Sequence, residues 1–145
     1  MKYLSLTRER MKATPRKKAL NARQKLSRLE DADDNGYCQC VSCRKYAHWK
    51  EGDGGHFIPK GHSSYWSLRE ENIHFQCRGC NSFGMRFGTA SNQYTLWMVD
   101  KYGREFVDQM EIEKGWPIKY SKSEYLEMTA DWNKQIKSHL KRIGE

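Results

Sequence analysis

Two Cys-x2-Cys pairs constrain this chain more than any other sequence feature. Cys40 and Cys43 form the first pair, and Cys77 and Cys80 form the second. Each pair can place two thiolates on one turn, and two such turns complete the tetrahedral shell that Zn²⁺ prefers. A fifth cysteine, Cys38, lies beside the first pair, and spacing alone leaves a pairing of Cys38 with Cys43 open. This tight cluster is unlike the disulfide framework of a secreted protein, so we expect a structural zinc site.

The composition indicates a small core. The chain has 145 residues, of which 37% are hydrophobic and 30% are charged. That length suits one compact unit with appendages, and its low apolar content leaves little surface to bury. Bound zinc would then supply stability that the core lacks.

Positive charge is concentrated at one end of the chain. Residues 1–30 contain ten Lys/Arg and two Glu, which accounts for the whole net charge of +8. Such a segment suits a polyanion, with nucleic acid as the first choice and a simply solvated helix or an anionic membrane surface as alternatives. The candidate contacts in this arm are Arg16, Lys17 and Lys18.

The sequence predicts no membrane-spanning segment, and a membrane is not the expected partner. No apolar stretch approaches the length that spans a bilayer. The basic N-terminus also lacks the apolar centre of a signal peptide. We therefore expect a cytoplasmic protein, in a bacterial host if a phage encodes it.

The chain divides into three predicted parts, which together define an α+β protein. These are a basic N-terminal helical arm over 1–36, a zinc-bound core over 37–90 and a C-terminal helical segment over 91–145. In the arm, Thr14-Pro15 predicts a helix start, and a thin stripe of leucines predicts that this helix lies across the surface of the core. The core segment is rich in Gly, His, Cys and aromatic residues without a helical period, which favours short strands and loops.

Helices are predicted throughout the last third. One runs from Ser91 to a stop at Gly103, and a second covers about 104–113. Ser121-x2-Glu124 predicts the capped start of a third. That helix carries an apolar stripe, which suits either the core or a subunit interface: Tyr125, Met128, Trp132, Ile136, Leu140 and Ile143.

His56 is the leading candidate for a general base. A neutral imidazole can activate water for phosphodiester hydrolysis near pH 7. His56 follows Gly54-Gly55, where bare backbone permits close approach of a nucleic-acid strand, and Pro59 fixes the next turn. An unused or zinc-associated role in this Cys/His-rich region is the alternative.

Two asparagines are further candidates. Asn81 directly follows the last zinc ligand, and its amide oxygen suits Mg²⁺, although it can equally cap a following helix. Asn72 can tie down the His56 loop through hydrogen bonds to backbone, or can simply form a turn.

Other polar side chains surround these candidates. Arg69, Arg78 and Arg86 can clamp phosphates or can be solvated surface charges. The remaining histidines of the region, which can ligate a metal or contact phosphate, are His48, His62 and His74.

Together these motifs resemble the HNH, or ββα-metal, nucleases. The matching motifs are Cys40-x2-Cys43, Gly55-His56-Phe-Ile-Pro59 and Asn72-Ile-His-Phe-Gln-Cys77-x2-Cys80-Asn81. Within that superfamily the chain is most similar to the phage NinG (Rap) recombination nucleases, over about residues 25–145.

The resemblance implies a zinc-stapled ββα-metal core and a Mg²⁺-dependent DNA endonuclease, with Mn²⁺ as a possible substitute. His56 would be the base, Asn81 would bind Mg²⁺, and Asn72 would brace the base loop. The family is associated with cleaving branched recombination intermediates such as Holliday junctions. Because such junctions have two-fold symmetry, paired cuts would suit a homodimer.

One position departs from the superfamily pattern. Many HNH sites have an aspartate immediately before the catalytic histidine, and here that residue is Gly55. Asp53 is the nearest carboxylate that can substitute as a Mg²⁺ ligand. The alternatives to a junction nuclease are an HNH nicking or homing-type enzyme on duplex DNA, and a non-catalytic zinc-dependent nucleic-acid-binding protein.

Overall fold

The structure, a computed structural model, describes residues 13–145. Within this range the chain forms five α-helices and four β-strands. They are α1 (Pro15–Asp31), β1 (Tyr37–Gln39), β2 (Tyr46–His48), β3 (Gly52–His56), β4 (Ile73–Cys77), α2 (Met85–Phe87), α3 (Ala90–Tyr102), α4 (Arg104–Glu113) and α5 (Lys122–Arg142). The predicted contribution of Lys2, Arg8, Arg10 and Lys12 to the basic arm lies outside the described residues.

The strands form two small antiparallel pairs. β1 pairs with β2, and β3 pairs with β4 so that Gly52 faces Cys77 and His56 faces Ile73. A π-helical turn at Cys80–Gly84 follows β4 and continues into α2. Helices combined with small antiparallel sheets confirm the predicted α+β class.

Helix α1 begins where the sequence predicts. The Thr14 side chain caps it by accepting a hydrogen bond from the Lys17 backbone at 3.2 Å, and Pro15 occupies the first turn. Its packing is more extensive than the thin stripe of leucines indicates. Leu26 and Leu29 are fully buried, and α1 packs against β3, β4 and α5 in the main core cluster.

Gly54 lets α1 approach β3 closely. A Cβ at this position would lie 2.7 Å from the backbone oxygen of Gln24 and 2.9 Å from its Cα. From the sequence, we expected the bare backbone of Gly54 to allow close approach of a nucleic-acid strand. In the structure a helix of the same chain occupies that space. Glycine is therefore required here for packing.

The three C-terminal helices confirm their sequence signals. α3 ends at Gly103, whose φ of 90° is the left-handed geometry that glycine favours. α4 ends at Glu113, as predicted. At the start of α5, Ser121 and Glu124 make both hydrogen bonds of a capping box. No helix within residues 13–145 has the length and apolar character needed to cross a bilayer.

The apolar stripe of α5 packs inside the chain. Trp132, Ile136 and Leu140 join the main core cluster, while Tyr125 and Met128 pack beside α1 in a second cluster. Farther along α5, Arg142 donates hydrogen bonds from one nitrogen to the backbone oxygens of Leu29 at 3.1 Å and Ala32 at 3.0 Å. The stripe is therefore core, and a dimer would need a different surface.

Candidate functional site

The four predicted zinc ligands converge. The sulfur atoms of Cys40, Cys43, Cys77 and Cys80 all lie within 4.8 Å of one another. Cys43 and Cys77 have their sulfurs 3.8 Å apart, and about 3.8 Å is the separation expected for two thiolates bound to one tetrahedral Zn²⁺. The cluster can therefore hold a zinc ion.

Without a cation, burial disfavours the thiolate form of Cys80. Burial, followed by contact with the neighbouring thiols, raises the pKa of Cys80 well above its ordinary value. Four thiolates this close together would repel one another unless a divalent cation compensated them.

Cys38 is the cysteine outside the cluster. Its thiol is buried and donates a hydrogen bond to the Arg28 backbone oxygen at 3.3 Å. Burial raises the pKa of Cys38 to about 12, so this residue stays a neutral thiol. The structure thus selects Cys40 over Cys38 as the partner of Cys43, which spacing had left open.

The cluster ties the two Cys-x2-Cys turns to β4. The first turn is anchored by the Val41 backbone, which donates to the Phe75 oxygen at 3.1 Å, and it ends at Arg44 with a left-handed φ of 66°. The second turn runs directly from β4 into the helical segment Cys80–Phe87. Asn81 therefore has a fixed place beside the cluster.

His56 lies at the end of β3 with one ring nitrogen engaged. Its Nε2 is 2.8 Å from the Ser67 backbone oxygen. A carbonyl oxygen can only accept, so Nε2 carries the hydrogen and Nδ1 carries the free lone pair. Burial lowers the pKa of His56 below 6.5, which keeps the imidazole neutral near pH 7.

Asn72 braces the loop that follows His56. Its fully buried side chain accepts from the Ile58 backbone nitrogen at 2.8 Å and donates to the backbone oxygens of Ile58 at 2.9 Å and Trp66 at 3.1 Å. These are the side-chain to backbone hydrogen bonds that the sequence predicted.

Asn72→Ala is expected to destabilise the protein by about 2–4 kcal/mol, because it removes three hydrogen bonds and leaves buried backbone groups unpaired. Urea unfolding of the zinc-loaded protein measures the loss. Asn133→Ala on the exposed face of α5 is the control and should change stability by less than about 0.5 kcal/mol. Equal stability of the two variants would contradict the bracing role.

Asp53 and Asn81 are in direct contact. The Asn81 Nδ2 donates to the Asp53 Oδ2 at 3.1 Å, which joins β3 to the helical segment after β4. Both side chains are partly exposed and line a cavity of about 520 Å³. Their oxygen atoms are hard donors of the type that Mg²⁺ prefers.

A groove extends from Asp53 to His56. The cavity beside Asp53 and a second one of about 330 Å³ beside His56 share Gln24, Gly54 and Asn81 as lining residues. Three basic residues that the sequence did not single out as site residues also line this groove: Lys25, Arg28 and Lys60. The sequence contained a signal that α1 lines the groove, because one face of the predicted helix carries four polar residues: Asn21, Gln24, Lys25 and Arg28.

The predicted phosphate-binding arginines separate into two groups. Arg78 lines the cavity beside Asp53 and Arg86 lines the one beside His56, and both are exposed. Arg69 lies elsewhere, stacked over the Tyr65 ring with 3.9 Å between its Cζ and the ring centroid. In the arm, Arg16, Lys17 and Lys18 are exposed on the first turns of α1, and the first two share a surface depression with Lys60.

The other histidines of the region lie outside the groove. His74 is buried, with Nδ1 3.3 Å from an Asp31 oxygen and Nε2 3.0 Å from the Tyr102 hydroxyl. His48 contacts Glu145 at 3.3 Å, and His62 is exposed on the loop after β3.

Two aromatic rings are exposed beside the groove. Phe83 and Phe87 are 68% and 69% exposed, and their ring centroids are 5.0 Å apart. Together with Asn81, Ser82 and Arg86 they line a shallow surface depression. Exposed neighbouring aromatics beside basic side chains are a suitable surface for stacking bases.

Fold and site together define a small α+β protein with a four-cysteine cluster able to bind zinc, next to a basic groove. A family model described as Bacteriophage Lambda NinG protein matches residues 5–142. The chain therefore belongs to the bacteriophage lambda NinG family. It has no significant match among curated proteins or among solved structures.

Proposed function

We propose that this protein is a Mg²⁺-dependent endonuclease that cleaves branched DNA, with an HNH, or ββα-metal, core formed by β3, β4 and the segment Cys80–Phe87. The observation that carries the proposal is the shared groove. His56 at the end of β3 and Asn81 after β4 open onto one basic cavity, with Asp53 hydrogen-bonded to Asn81. Membership of the bacteriophage lambda NinG family agrees with the recombination nuclease that the sequence resemblance implies.

The donor set fits Mg²⁺. Asp53 and Asn81 offer oxygen atoms on one wall of the groove, while the cysteines that suit zinc lie in a separate cluster. These two residues would hold the ion, and Mn²⁺ would substitute because it takes the same ligands. When bound, the cation would stabilise negative charge on the scissile phosphate and on the leaving oxygen.

His56 supplies the proton acceptor. With Nε2–H donated to Ser67, the Nδ1 lone pair takes a proton from a water molecule. The resulting hydroxide attacks phosphorus in line, the bond to the 3′ oxygen breaks, and that oxygen takes up a proton from solvent. The products carry 5′-phosphate and 3′-hydroxyl ends. Asn72 holds the loop that carries Ser67, so that the Ser67 backbone oxygen stays within hydrogen-bonding distance of His56.

The surroundings favour DNA with unpaired bases. Arg78, Arg86 and Lys60 line the groove and can neutralise phosphates, as Arg16 and Lys17 can at the start of α1. The exposed aromatic pair beside them can stack on bases that a branch point leaves unpaired. Two-fold symmetry of a four-way junction would suit a homodimer, formed through a face other than the α5 stripe.

The test compares substrates. Zinc-loaded protein is incubated in Mg²⁺ with a four-way junction and with linear duplexes of matched sequence, and products are resolved on denaturing gels against EDTA controls. Cleavage of the junction in preference to duplex supports the proposal. Equal cleavage of both would instead indicate a nicking or homing-type nuclease. Binding without cleavage of either would indicate a non-catalytic zinc-dependent binder, for which the basic groove alone suffices.

The double variant Phe83→Ala/Phe87→Ala is expected to reduce junction cleavage about 10-fold to 100-fold, because stacking contributes roughly 1–3 kcal/mol per base. Cleavage of duplex should change much less. The exposed Leu126 on α5 provides a control, since Leu126→Ala removes a comparable exposed apolar group far from the aromatic pair in sequence. A double variant that still cleaves junctions at the wild-type rate would refute base stacking by this pair.

A further inference from the structure

Gln76 has a buried amide oxygen with no partner. The residue is 0% exposed, and among the described residues its Oε1 makes no hydrogen bond. Buried polar atoms are nearly always satisfied, so an unpaired oxygen of this kind needs an explanation. Sequence reasoning gave Gln76 no role.

The orientation of the Gln76 amide is fixed by its neighbours. Ser42 Oγ donates its only hydrogen to the Ala90 backbone oxygen at 2.8 Å, so it can only accept from Gln76, 3.0 Å away. The nitrogen of the amide must therefore face Ser42. Met85 Sδ, at 3.4 Å from the same nitrogen, also accepts. The oxygen is thereby forced to the opposite side, towards β3.

That oxygen occupies the space left by the missing side chain of Gly55. A Cβ at position 55 would overlap Gln76 Oε1 and would lie 3.0 Å from Asn81 Oδ1. Gln76 also pairs with Asp53 across the β3–β4 ladder, so the two side chains leave the same face of the sheet. Asp53 in turn accepts a hydrogen bond from Asn81. The side-chain oxygens of Gln76 and Asn81 thus face the space at Gly55, and Asp53 is joined to them through Asn81.

We propose that Gln76 Oε1 is a ligand of the divalent cation, together with oxygens of Asn81 and Asp53. The amide oxygen of Gln76 occupies the space that a side chain at position 55 would fill. Two neutral amides and one carboxylate form a site of low charge, suited to Mg²⁺ or Mn²⁺ that keeps several waters. A role of Gln76 in catalysis rests on the proposed function, whereas the binding of a cation by Gln76 does not.

Cation binding can be measured without DNA. Mn²⁺ is titrated into zinc-loaded protein and followed by electron paramagnetic resonance. Gln76→Leu removes the oxygen at similar volume, and it should weaken Mn²⁺ binding at least 10-fold. Gln76→Glu restores an oxygen and should bind Mn²⁺ at least as tightly as wild type. Gln135→Leu on the exposed face of α5 is the matched control and should leave the affinity unchanged. Unchanged affinity in Gln76→Leu would overturn the proposal.

A second measurement needs no substitution and is independent of folding defects in the variants. In wild-type protein the side-chain carbonyl ¹³C resonance of Gln76 should shift as Mg²⁺ is added, and absence of a shift at saturation would refute ligation. The two ideas fail differently. If Mn²⁺ binding depends on Gln76 but no DNA is cleaved, the proposed nuclease activity is wrong and Gln76 remains a cation ligand. If DNA is cleaved but Gln76→Leu leaves the Mn²⁺ affinity unchanged, Gln76 is not a ligand and the proposed nuclease activity stands.

Discussion

Cys40→Ser is expected to abolish the folded state of the central region. The substitution removes one of four thiolates whose sulfurs lie within 4.8 Å of one another. Structural zinc sites contribute about 10–16 kcal/mol of apparent binding free energy, and small domains are stable by only about 5–15 kcal/mol. Losing most of the zinc-binding free energy would exceed the free energy of unfolding of the protein. The main core cluster would be lost with it, because that cluster is assembled around the cysteines. Zinc content by mass spectrometry and far-UV circular dichroism would measure the effect.

Cys38→Ser is the matched control for this experiment. Cys38 is equally buried and only two residues away, but its thiol donates to the Arg28 backbone oxygen and does not belong to the cluster. We expect one zinc per chain to be retained and stability to fall by about 1 kcal/mol. A Cys38→Ser protein that loses zinc while Cys40→Ser keeps it would show that the ligand set is wrong.

His56→Ala is expected to lower the rate of Mg²⁺-dependent DNA cleavage by about 10²–10⁴-fold, the usual contribution of a positioned base. DNA affinity should stay near the wild-type value, since a neutral imidazole adds no charge to the basic groove. Single-turnover cleavage and a binding assay in Ca²⁺ separate the two effects. His62→Ala alters an exposed histidine on the loop that follows His56 and is the control. A His56→Ala enzyme with the wild-type rate would eliminate the proposed base.

The pH profile gives an independent check on His56. Burial lowers its pKa below 6.5, so the folded protein binds this proton less readily than the unfolded chain. The associated stability is present above pH 6.5 and is lost as pH falls through the unfolded value towards the folded one. Cleavage should likewise persist below pH 6.5 and decline only when the buried imidazole becomes protonated. In His56→Ala this acidic limb should disappear.

Local signals predicted much of this fold. The Thr14-Pro15 start of α1, the capping box at Ser121 and the stop at Gly103 depend on neighbouring residues and appear in the structure. The two Cys-x2-Cys turns were predictable for the same reason, because each turn presents its own thiols. Asn72 was also identified, since its short polar side chain next to a turn commonly bonds to backbone.

Features that depend on distant segments were not predictable. The thin leucine stripe of α1 predicted a helix lying across the surface of the core, but it understates the buried face of that helix. Arg23 is only 4% exposed, bonded to Ser27 and Glu30 and stacked on Trp132 of α5. When buried polar residues are hydrogen-bonded or stacked on residues distant in sequence, the buried face of the helix cannot be recognised from its hydrophobic pattern alone. Gln76 is similar, since only the pairing of β4 with β3 places its oxygen at Gly55.

The contact between α1 and α5 has a consequence for the order of folding during synthesis. The zinc ligands lie between residues 40 and 80, so the metal site can assemble while later residues are still being added. Helix α1 has to wait for α5, because the Arg142 guanidinium and the apolar stripe of α5 complete its surroundings. A chain that has emerged from the ribosome only as far as residue 80 lacks α5, so α1 is still without the helix that covers one of its sides in the folded protein.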